Sequence, residues 1–178
     1  LEGWSPIVGV GGDGTLQELI NGILSGSSRP PLGIVPSGTG NDFVRGLSLP
    51  LDPALATHLT CTGVPGKVDV GLCGQRYYLN VGGVGFDADV AAAISGSGWL
   101  GRQGNLTYML FTLKQLISHE NRQLIVHLDG RILERRALLV AVANGRYYGG
   151  GMMICPQADP ADGLLDVCII GDVSRWEI

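Results

Sequence analysis

The sequence predicts an α/β domain built on a parallel sheet, followed by a mainly antiparallel β-sandwich domain. Two observations predict the first domain: the apolar run 6–10 leads through glycines into helically spaced apolar residues over 16–24, and a second apolar run follows at 32–35. One observation predicts the second domain, because later apolar residues alternate in short runs separated by glycine turns. The chain therefore divides into residues 1–66 and 67–178.

Composition narrows the classes of function. The 178 residues carry a net charge of −4, which argues against nucleic-acid binding and against purely electrostatic adhesion to anionic lipid. The four cysteines show no metal-ligand spacing, which favours a reduced compartment. No apolar run is long enough to cross a bilayer, so we expect a cytoplasmic protein. The chain begins at Leu1 without an initiator Met, and we expect it to be a fragment of a longer protein.

The first turn has the chemistry of a phosphate site. Gly11-Gly12-Asp13-Gly14-Thr15 joins the first strand to the first helix. Thr15 and Glu18 have the spacing of a capping box, which predicts Thr15 as the helix N-cap. Such a turn gathers unpaired backbone N–H groups and the positive end of the helix dipole at one point. The turn is therefore predicted to bind phosphate.

Asp13 is the informative residue of this turn, because a carboxylate repels phosphate. A divalent cation between the two groups, usually Mg²⁺ with its waters, removes the conflict. The alternative interpretation is a solvated Asp-Gly turn at the end of a strand.

A second polar turn is predicted beside the first. The strand at 32–35 follows a helix, so it should pair in parallel with the first strand through a right-handed crossover. The loop 37–42 then lies at the same sheet edge, where ligands of such sheets gather. A short helix should follow from Phe43 and end near Gly46, and prolines and glycines should break up residues 48–66.

The remaining elements follow from alternation and from turn residues. The predicted hairpins turn at Gly74-Gln75 and at Asp129-Gly130, with a glycine bend at 82–85 between them. The other predicted elements are helices at 86–94 and 106–117, a loop at 99–104, strands at 123–128, 132–143 and 164–170, and a glycine loop at 144–153.

The motifs together resemble a known family. Gly11-Gly12-Asp13-Gly14-Thr15 followed by Gly38-Thr39-Gly40-Asn41-Asp42-Phe43 is similar to the diacylglycerol kinase catalytic family, in particular to the bacterial soluble lipid kinases related to sphingosine and ceramide kinases. Later segments agree in order: Asn80 to Ala88, Ala143-Asn144-Gly145, Gly149-Gly150-Gly151, and Ala161-Asp162-Gly163-Leu164. The first motif alone also occurs in NAD kinases and phosphofructokinases.

This resemblance implies an ATP-dependent, Mg²⁺-dependent kinase with a phosphofructokinase- or NAD kinase-like first domain. Its substrate would be a lipid hydroxyl, for example that of a diacylglycerol, reached by transient contact with a membrane surface. From the residues themselves, Trp99 and Leu100 are the candidates for an apolar membrane contact, because Trp favours the membrane interface. The alternative is ordinary core packing beside the apolar segment 106–117. The implied nucleotide-binding residues are Gly11, Gly12, Asp13, Gly14, Thr15, Glu18, Thr39, Asn41 and Asp42.

The resemblance also implies a structural Mg²⁺ site. Its ligands would be the side chain of Asp162 and the backbone carbonyls of Asp159 and Leu164. Oxygen ligands that alternate along a turn suit Mg²⁺ or Ca²⁺. The alternative is an ordinary Asp-Gly turn before a strand.

One departure from the family pattern concerns the general base. Relatives carry it in an Asp-Gly-Glu segment, but the three Asp-Gly pairs of this chain continue with Thr15, Arg131 and Leu164. We therefore expect the base to lie beyond Ile178. Two other functions stay open: an NAD kinase-like enzyme, and a nucleotide- or lipid-sensing module without catalysis.

Overall fold

The chain forms two compact units, seen in a computed structural model that describes residues 6–85 and 121–172. Unit 1 comprises Leu1–Gly82 and Ala143–Asp166, and unit 2 comprises Gly83–Val142 and Val167–Ile178. This division differs from the boundary predicted near residue 66, because residues 67–82 and 143–166 also belong to unit 1. Hydrogen bonds explain the difference: Tyr77 N–H donates to Asn21 Oδ1 over 2.9 Å, and the Asn144 amide donates to the Leu79 carbonyl over 2.7 Å.

Unit 1 begins with the predicted β-α-β arrangement. Strand β1 is Ile7–Gly11, helix α1 is Asp13–Ser25 and strand β2 is Leu32–Pro36. The two strands pair in parallel, with Val10 opposite Val35. The predicted parallel pairing is confirmed, and the carboxyl ends of both strands reach the same edge of the sheet.

Helix α1 starts earlier than the capping-box prediction placed it. Its N-cap is Gly12, and no side chain caps the helix, so the prediction of Thr15 as N-cap is wrong. At the other end, the Arg29 guanidinium donates to the carbonyls of Ile23 at 3.0 Å and Leu24 at 3.2 Å. These bonds satisfy carbonyl oxygens that the last turn of a helix leaves without partners.

Two further helices follow. The predicted short helix is present as α2, Asp42–Gly46. The prediction that residues 48–66 are broken up is wrong, because Pro53–Thr62 forms a third helix, α3. Asp52 caps α3 by accepting the Leu55 N–H at 2.9 Å, and Pro53 occupies the first turn, where its missing N–H costs nothing.

The core of unit 1 lies where α1 and α2 meet the later segments. Four apolar side chains are almost completely buried in this core: Leu16, Phe43, Val44 and Leu79. Partly buried neighbours from β2 and the flanking loops pack around them. Burial of these side chains holds the starts of both helices beside the sheet edge.

The predicted hairpin at Gly74-Gln75 is present. Its strands are β3, Gly71–Cys73, and β4, Arg76–Tyr78, paired antiparallel. The predicted bend over residues 82–85 is wrong, because Val81–Gly85 forms strand β5.

Unit 2 contains the second predicted hairpin. Its strands are β6, Arg122–Leu128, and β7, Arg131–Ala137, followed by β8, Leu139–Ala143. Asp129 and Gly130 both have positive φ, at 45° and 81°, as a two-residue hairpin turn requires.

The predicted glycine loop over 144–153 contains a small hairpin of β9, Tyr147–Tyr148, and β10, Met152–Met153. The last strand is β11, Asp166–Ile170, and a three-stranded sheet has the order β11-β8-β5. The predicted elements at 86–94, 99–104 and 106–117, with Trp99 and Leu100, lie outside the described residues. Within the described residues, no helix has the length and apolarity needed to span a bilayer.

Candidate functional site

The two predicted glycine turns meet at the sheet edge. A Cβ built on Gly12 would lie 2.9 Å from the Cα of Gly38, which is closer than real Cβ contacts. Ser37 N–H donates to the Gly11 carbonyl at 3.0 Å and continues the pairing of the strands into the turns. Glycine is therefore required for the approach of these two backbones.

The first turn presents the uncapped start of α1. Leu16 N–H makes the first helical bond, to the Gly12 carbonyl at 3.1 Å, and no side chain caps the helix. The N–H groups that precede Leu16 are left free to bind an anion, as at helix starts in general. Gly14 and Thr15 are exposed there. A cavity of about 670 Å³ adjoins these two residues and extends along α1 past Glu18.

Asp13 is bound to the second turn. One carboxylate oxygen accepts the Asp42 N–H at 3.0 Å and the other accepts the Phe43 N–H at 3.0 Å. These N–H groups belong to the first turn of α2, so the Asp13 carboxylate caps that helix from a distance of about thirty residues along the chain. The first role of the Asp13 side chain is thus to join the two motifs.

Asn41 shapes the second turn from within. Its backbone is left-handed, with φ 51° and ψ 43°. Its side-chain oxygen accepts the Gly38 N–H at 3.1 Å, and its amide donates to the Gly38 carbonyl at 2.8 Å. Asparagine tolerates this backbone conformation and satisfies both polar groups of Gly38.

Asp42 is the buried carboxylate of the site. It is 4% exposed; Oδ2 accepts the Gly150 N–H at 2.8 Å, and Oδ1 is buried without a hydrogen-bond partner. Burial raises the pKa of this carboxyl above its ordinary value of 3.8 and the nearby Asp13 charge adds to the rise, while N–H groups of Gly150 and Gly151 and the Arg45 charge oppose it. Asp42 therefore ties the glycine loop 149–151 to the first two motifs.

Gly40 lies where the two carboxylates converge. A Cβ on this residue would lie 3.2 Å from Asp13 Oδ2, 3.5 Å from Asp42 Oδ2 and 3.3 Å from the Cα of Gly150. No larger residue fits without displacing one of these groups. Two carboxylates held this close create a local negative potential that a cation would relieve.

The other predicted nucleotide-binding residues have different surroundings. Thr39 is exposed at the tip of the second turn. Thr15 packs its side chain against Gly11. Glu18 forms an exposed ion pair with Arg76 at 2.8 Å. Thr39 is thus accessible to a ligand, whereas the Glu18 carboxylate is already paired with the Arg76 guanidinium.

In the turn predicted to bind metal, Asp159, Asp162 and Leu164 are exposed, and carboxylate oxygens accept backbone N–H groups of the turn. Asp162 Oδ1 accepts the Leu164 N–H at 2.9 Å, and the Asp159 side chain accepts the Ala161 N–H at 3.1 Å. A further carboxylate reaches the same turn: Asp69 Oδ2 accepts the Gly163 N–H at 2.7 Å. This arrangement brings Asp69 to the turn that carries Asp162.

Sequence reasoning missed Asp69 and Asn144 as residues of this region. The alternating residues 68–72 predict a strand that includes Asp69, the first strand of the hairpin at Gly74-Gln75, yet β3 begins only at Gly71. The buried Asn144 amide donates to the carbonyls of Asp69 and Leu79 at 2.9 and 2.7 Å. The available signal was Asn144-Gly145 directly after an apolar strand, the same pattern that marks the first two turns.

The residues around Asp13 and around Asp162, the two places where a cation is predicted, supply only part of the ligands that Mg²⁺ needs. Within residues 6–85 and 121–172, no cluster of three or more His, Cys, Asp or Glu side chains could hold a metal ion. Each Asp13 oxygen already accepts an N–H and retains a lone pair for a water molecule. This suits Mg²⁺, which keeps several waters and takes other ligands from substrate phosphates. At Asp162, Oδ1 likewise accepts one N–H and retains a lone pair, and the carbonyl of Asp159 that was predicted as a ligand accepts the Asp162 N–H at 3.4 Å.

Two known protein-family domains match this chain, one over its N-terminal part and one over its C-terminal part. Residues 1–73 match the diacylglycerol kinase catalytic domain, and residues 80–178 match the YegS C-terminal NAD kinase beta sandwich-like domain. The chain is 30% identical over 165 residues to "Diacylglycerol kinase" of Bacillus subtilis, covering 92% of this chain and 54% of that protein. It is 33% identical over 168 residues to "Probable lipid kinase YegS-like" of Pseudomonas putida, covering 94% and 56%.

A solved structure of a diacylglycerol kinase from Bacillus anthracis is similar to this chain with a TM-score of 0.74 and 34% identity. The match covers 96% of this chain and 55% of that one. The chain thus spans little more than half the length of the relatives it matches.

Proposed function

Because the chain belongs to the family in which a diacylglycerol kinase catalytic domain precedes a YegS-type C-terminal domain, we propose that the full-length protein is an ATP-dependent lipid kinase. Its reaction is transfer of the γ-phosphoryl group of ATP to the hydroxyl of a diacylglycerol-like lipid at a membrane surface. The names of the relatives in Pseudomonas putida and Bacillus subtilis, a probable lipid kinase and a diacylglycerol kinase, support this class of reaction.

The observation that carries the proposal is the uncapped start of α1 beside two carboxylates. The free N–H groups before Leu16, with exposed Gly14 and Thr15, are donors for phosphate oxygens. Gly11 and Gly12 shape the turn by letting Thr15 and Gly38 pack against its backbone, and Gly14, with nothing within 4 Å of its Cβ position, leaves room for a phosphate. Exposed Thr39 adds a hydroxyl from the second turn. We assign nucleotide binding to this edge of the sheet.

Asp13 has two tasks in this proposal. Its oxygens accept the N–H groups that begin α2, and the remaining lone pair on each oxygen would be available to a water molecule of the Mg²⁺ that accompanies ATP. Bound Mg²⁺ neutralises charge on the transferred phosphoryl group. Asn41 and Asp42 act through the loops that they hold, because their side-chain bonds are made within the protein.

A second, structural cation is proposed at the turn of Asp159, Asp162 and Leu164. The nearby Asp69 carboxylate, bonded to Gly163, supports it by adding negative charge to the same turn. We assign no general base among the described residues, because none of their Asp-Gly pairs continues with Glu.

The test is a kinase assay on the full-length protein with Asp13→Asn. Transfer of labelled phosphate from ATP to diacylglycerol in neutral detergent micelles should fall by about a hundredfold, the usual scale for loss of a key electrostatic group. Asp129→Asn is the matched control, since it alters another Asp-Gly pair at a turn position that asparagine tolerates. The control should retain the wild-type rate.

Three results would change the conclusion. Phosphorylation of NAD instead of lipid would assign the NAD kinase-like alternative. ATP binding without transfer to any acceptor would assign a sensing module. A wild-type rate for Asp13→Asn at saturating Mg²⁺ would remove Asp13 from the proposed site.

A further inference from the structure

The proposed phosphate site contains two carboxylates, although its ligand would be an anion. Asp13 and Asp42 hold the glycine turns and the glycine loop together by accepting backbone N–H groups. Residues 1–66 carry two arginines against five carboxylates. Mg²⁺ neutralises part of the charge of ATP, and enzymes that transfer phosphoryl groups add an arginine or lysine for the charge that is spread over the transferred group. A positive side chain beside these turns would therefore have a defined task.

Arg45 is the positive side chain that contacts the second glycine turn. The described residues of unit 1 contain five positive side chains: Arg29, Arg45, Lys67, Arg76 and Arg146. Arg29, Arg76 and Arg146 bind backbone carbonyls or a carboxylate outside the two glycine turns. The Arg45 guanidinium instead donates to the Gly40 carbonyl at 3.4 Å, so its charge lies at the second turn.

The packing of α2 directs the Arg45 side chain toward this turn. Phe43 and Val44 are buried in the core, and Arg45, the next residue, is exposed. The Arg45 N–H donates to the Asn41 carbonyl at 3.0 Å, which holds its backbone in the helix. Helical side chains lean toward the N-terminus of their helix, and the N-terminus of α2 is the second turn. The contact with Gly40 follows from this direction.

Gly40 brings the guanidinium close to both carboxylates. A Cβ on Gly40 would lie 3.2 Å from Asp13 Oδ2 and 3.5 Å from Asp42 Oδ2. Burial raises the pKa of the Asp42 carboxyl, and the Arg45 charge lowers it, so the positive charge acts on the buried carboxylate. Exposed Thr39 precedes Gly40 in the same turn. One short loop thus carries a guanidinium and a hydroxyl beside the two carboxylates.

The Arg45 guanidinium retains donors for a phosphoryl group. Arginine has several N–H donors in a planar fork that matches the oxygens of phosphate. Within residues 6–85 and 121–172 this guanidinium makes no ion pair, and its one hydrogen bond, at 3.4 Å, is longer than an ordinary N–H···O bond. The bond to Gly40 therefore orients the guanidinium and leaves its other N–H groups available.

We propose that Arg45 is a catalytic residue that binds the γ-phosphoryl group while this group passes from ATP to the lipid hydroxyl. This inference deepens the proposed kinase function and rests on it. In the transfer, the bond between the γ-phosphorus and the oxygen that bridges to the β-phosphorus breaks, and a bond from the hydroxyl oxygen to the γ-phosphorus forms. The hydroxyl proton is released and ADP leaves. Arg45 exchanges no proton, because a guanidinium stays charged in proteins.

The first test is the kinetics of the full-length protein with diacylglycerol in neutral detergent micelles. Arg45→Gln should lower kcat about a hundredfold, the scale of a lost hydrogen bond to a charged group, and should change KM for ATP less than about threefold. Arg45→Lys keeps the charge without the planar fork and should lose about tenfold. Added guanidinium should raise the rate of Arg45→Gln about tenfold, because it supplies the missing group, and should leave the wild type unchanged.

Arg29→Gln is the matched control. It removes the other arginine of residues 1–66, whose guanidinium also donates to backbone carbonyls but at the far end of α1. This variant should have a lower unfolding midpoint and the wild-type kcat. Arg45→Gln should have the wild-type unfolding midpoint, because the side chain is exposed and its contact with Gly40 is long.

A second measurement does not depend on the acceptor. ADP with Mg²⁺ and aluminium fluoride imitates the phosphoryl group during transfer, and calorimetry measures its binding to the full-length protein. Arg45→Gln should weaken the affinity for this complex about a hundredfold and the affinity for ADP alone less than about threefold, because Arg45 acts on the group in transit.

The outcomes separate this inference from the proposed function. Transfer to lipid by the wild type, with an unchanged kcat in Arg45→Gln, overturns the role of Arg45 and leaves the kinase function standing. Equal losses of affinity for ADP and for the aluminium fluoride complex, or a lower unfolding midpoint without rescue by guanidinium, would show a structural role and also overturn it. If the wild type transfers no phosphate to lipid, the kinase proposal fails. Arg45 then stands only if its substitution weakens binding of the aluminium fluoride complex selectively.

Discussion

Two Asp-Gly turns of this protein use the same dipeptide in opposite ways. At Asp13, both carboxylate oxygens accept N–H groups from α2, about thirty residues along the chain. At Asp162, one oxygen accepts the N–H of Leu164, two residues away, and the side chain is exposed. The same dipeptide can therefore join distant segments or stabilise only a local turn, depending on which N–H groups its carboxylate accepts.

The two turns should respond differently when the aspartate is replaced by asparagine. Asp13→Asn should lower the free energy of unfolding by about 1.5–3 kcal/mol, because the amide replaces a charged acceptor and turns an N–H₂ group toward an N–H donor. Urea unfolding of the full-length protein without ATP or Mg²⁺ measures this change. Asp162→Asn should change stability by less than about 0.5 kcal/mol, as surface substitutions usually do. Equal losses for the two variants would show that the turns do not differ.

The close approach of the first two motifs should make Gly38 intolerant of a side chain. Gly38→Ala should destabilise the protein by about 1–3 kcal/mol, because its Cβ would overlap the backbone of Gly12, which cannot rotate away. Gly22→Ala is the matched control: it lies within α1 with nothing within 4 Å of its Cβ position, and should stabilise the helix by about 0.5–1 kcal/mol. Thermal unfolding of both variants measures the difference. Similar melting temperatures would contradict a close approach of the two turns.

The third prediction concerns the exposed turn. If the turn at Asp162 binds a structural cation, Mg²⁺ at about ten times its dissociation constant should raise stability by roughly 1.4 kcal/mol through mass action. Asp162→Ala should abolish this increment and leave ATP affinity nearly unchanged. Thermal melts with Mg²⁺ and with EDTA measure it, and a wild-type melting temperature that is the same in both would remove the site. Asp69→Asn should weaken the increment, since its carboxylate contacts the same turn.

Local patterns predicted most of the elements because their causes lie within a few residues. Helical spacing after the first glycines predicted α1, although the helix begins at Asp13 instead of behind a Thr15 cap. Asp129-Gly130 predicted a hairpin because both residues must adopt positive φ. Helix α3 was missed because prolines were interpreted only as breakers, whereas Asp52-Pro53 is also the start of a helix.

Local sequence patterns were enough to predict the two glycine motifs, their place at the ends of parallel strands, and the resemblance to the family. The N–H donors that the carboxylates accept depend on tertiary packing: Asp42 accepts the N–H of Gly150, 108 residues away, and Asp69 accepts that of Gly163, 94 residues away. The physical reason is one of range. Turn and helix preferences act between neighbouring residues, whereas a buried carboxylate takes whichever N–H group the packing of distant segments brings to it.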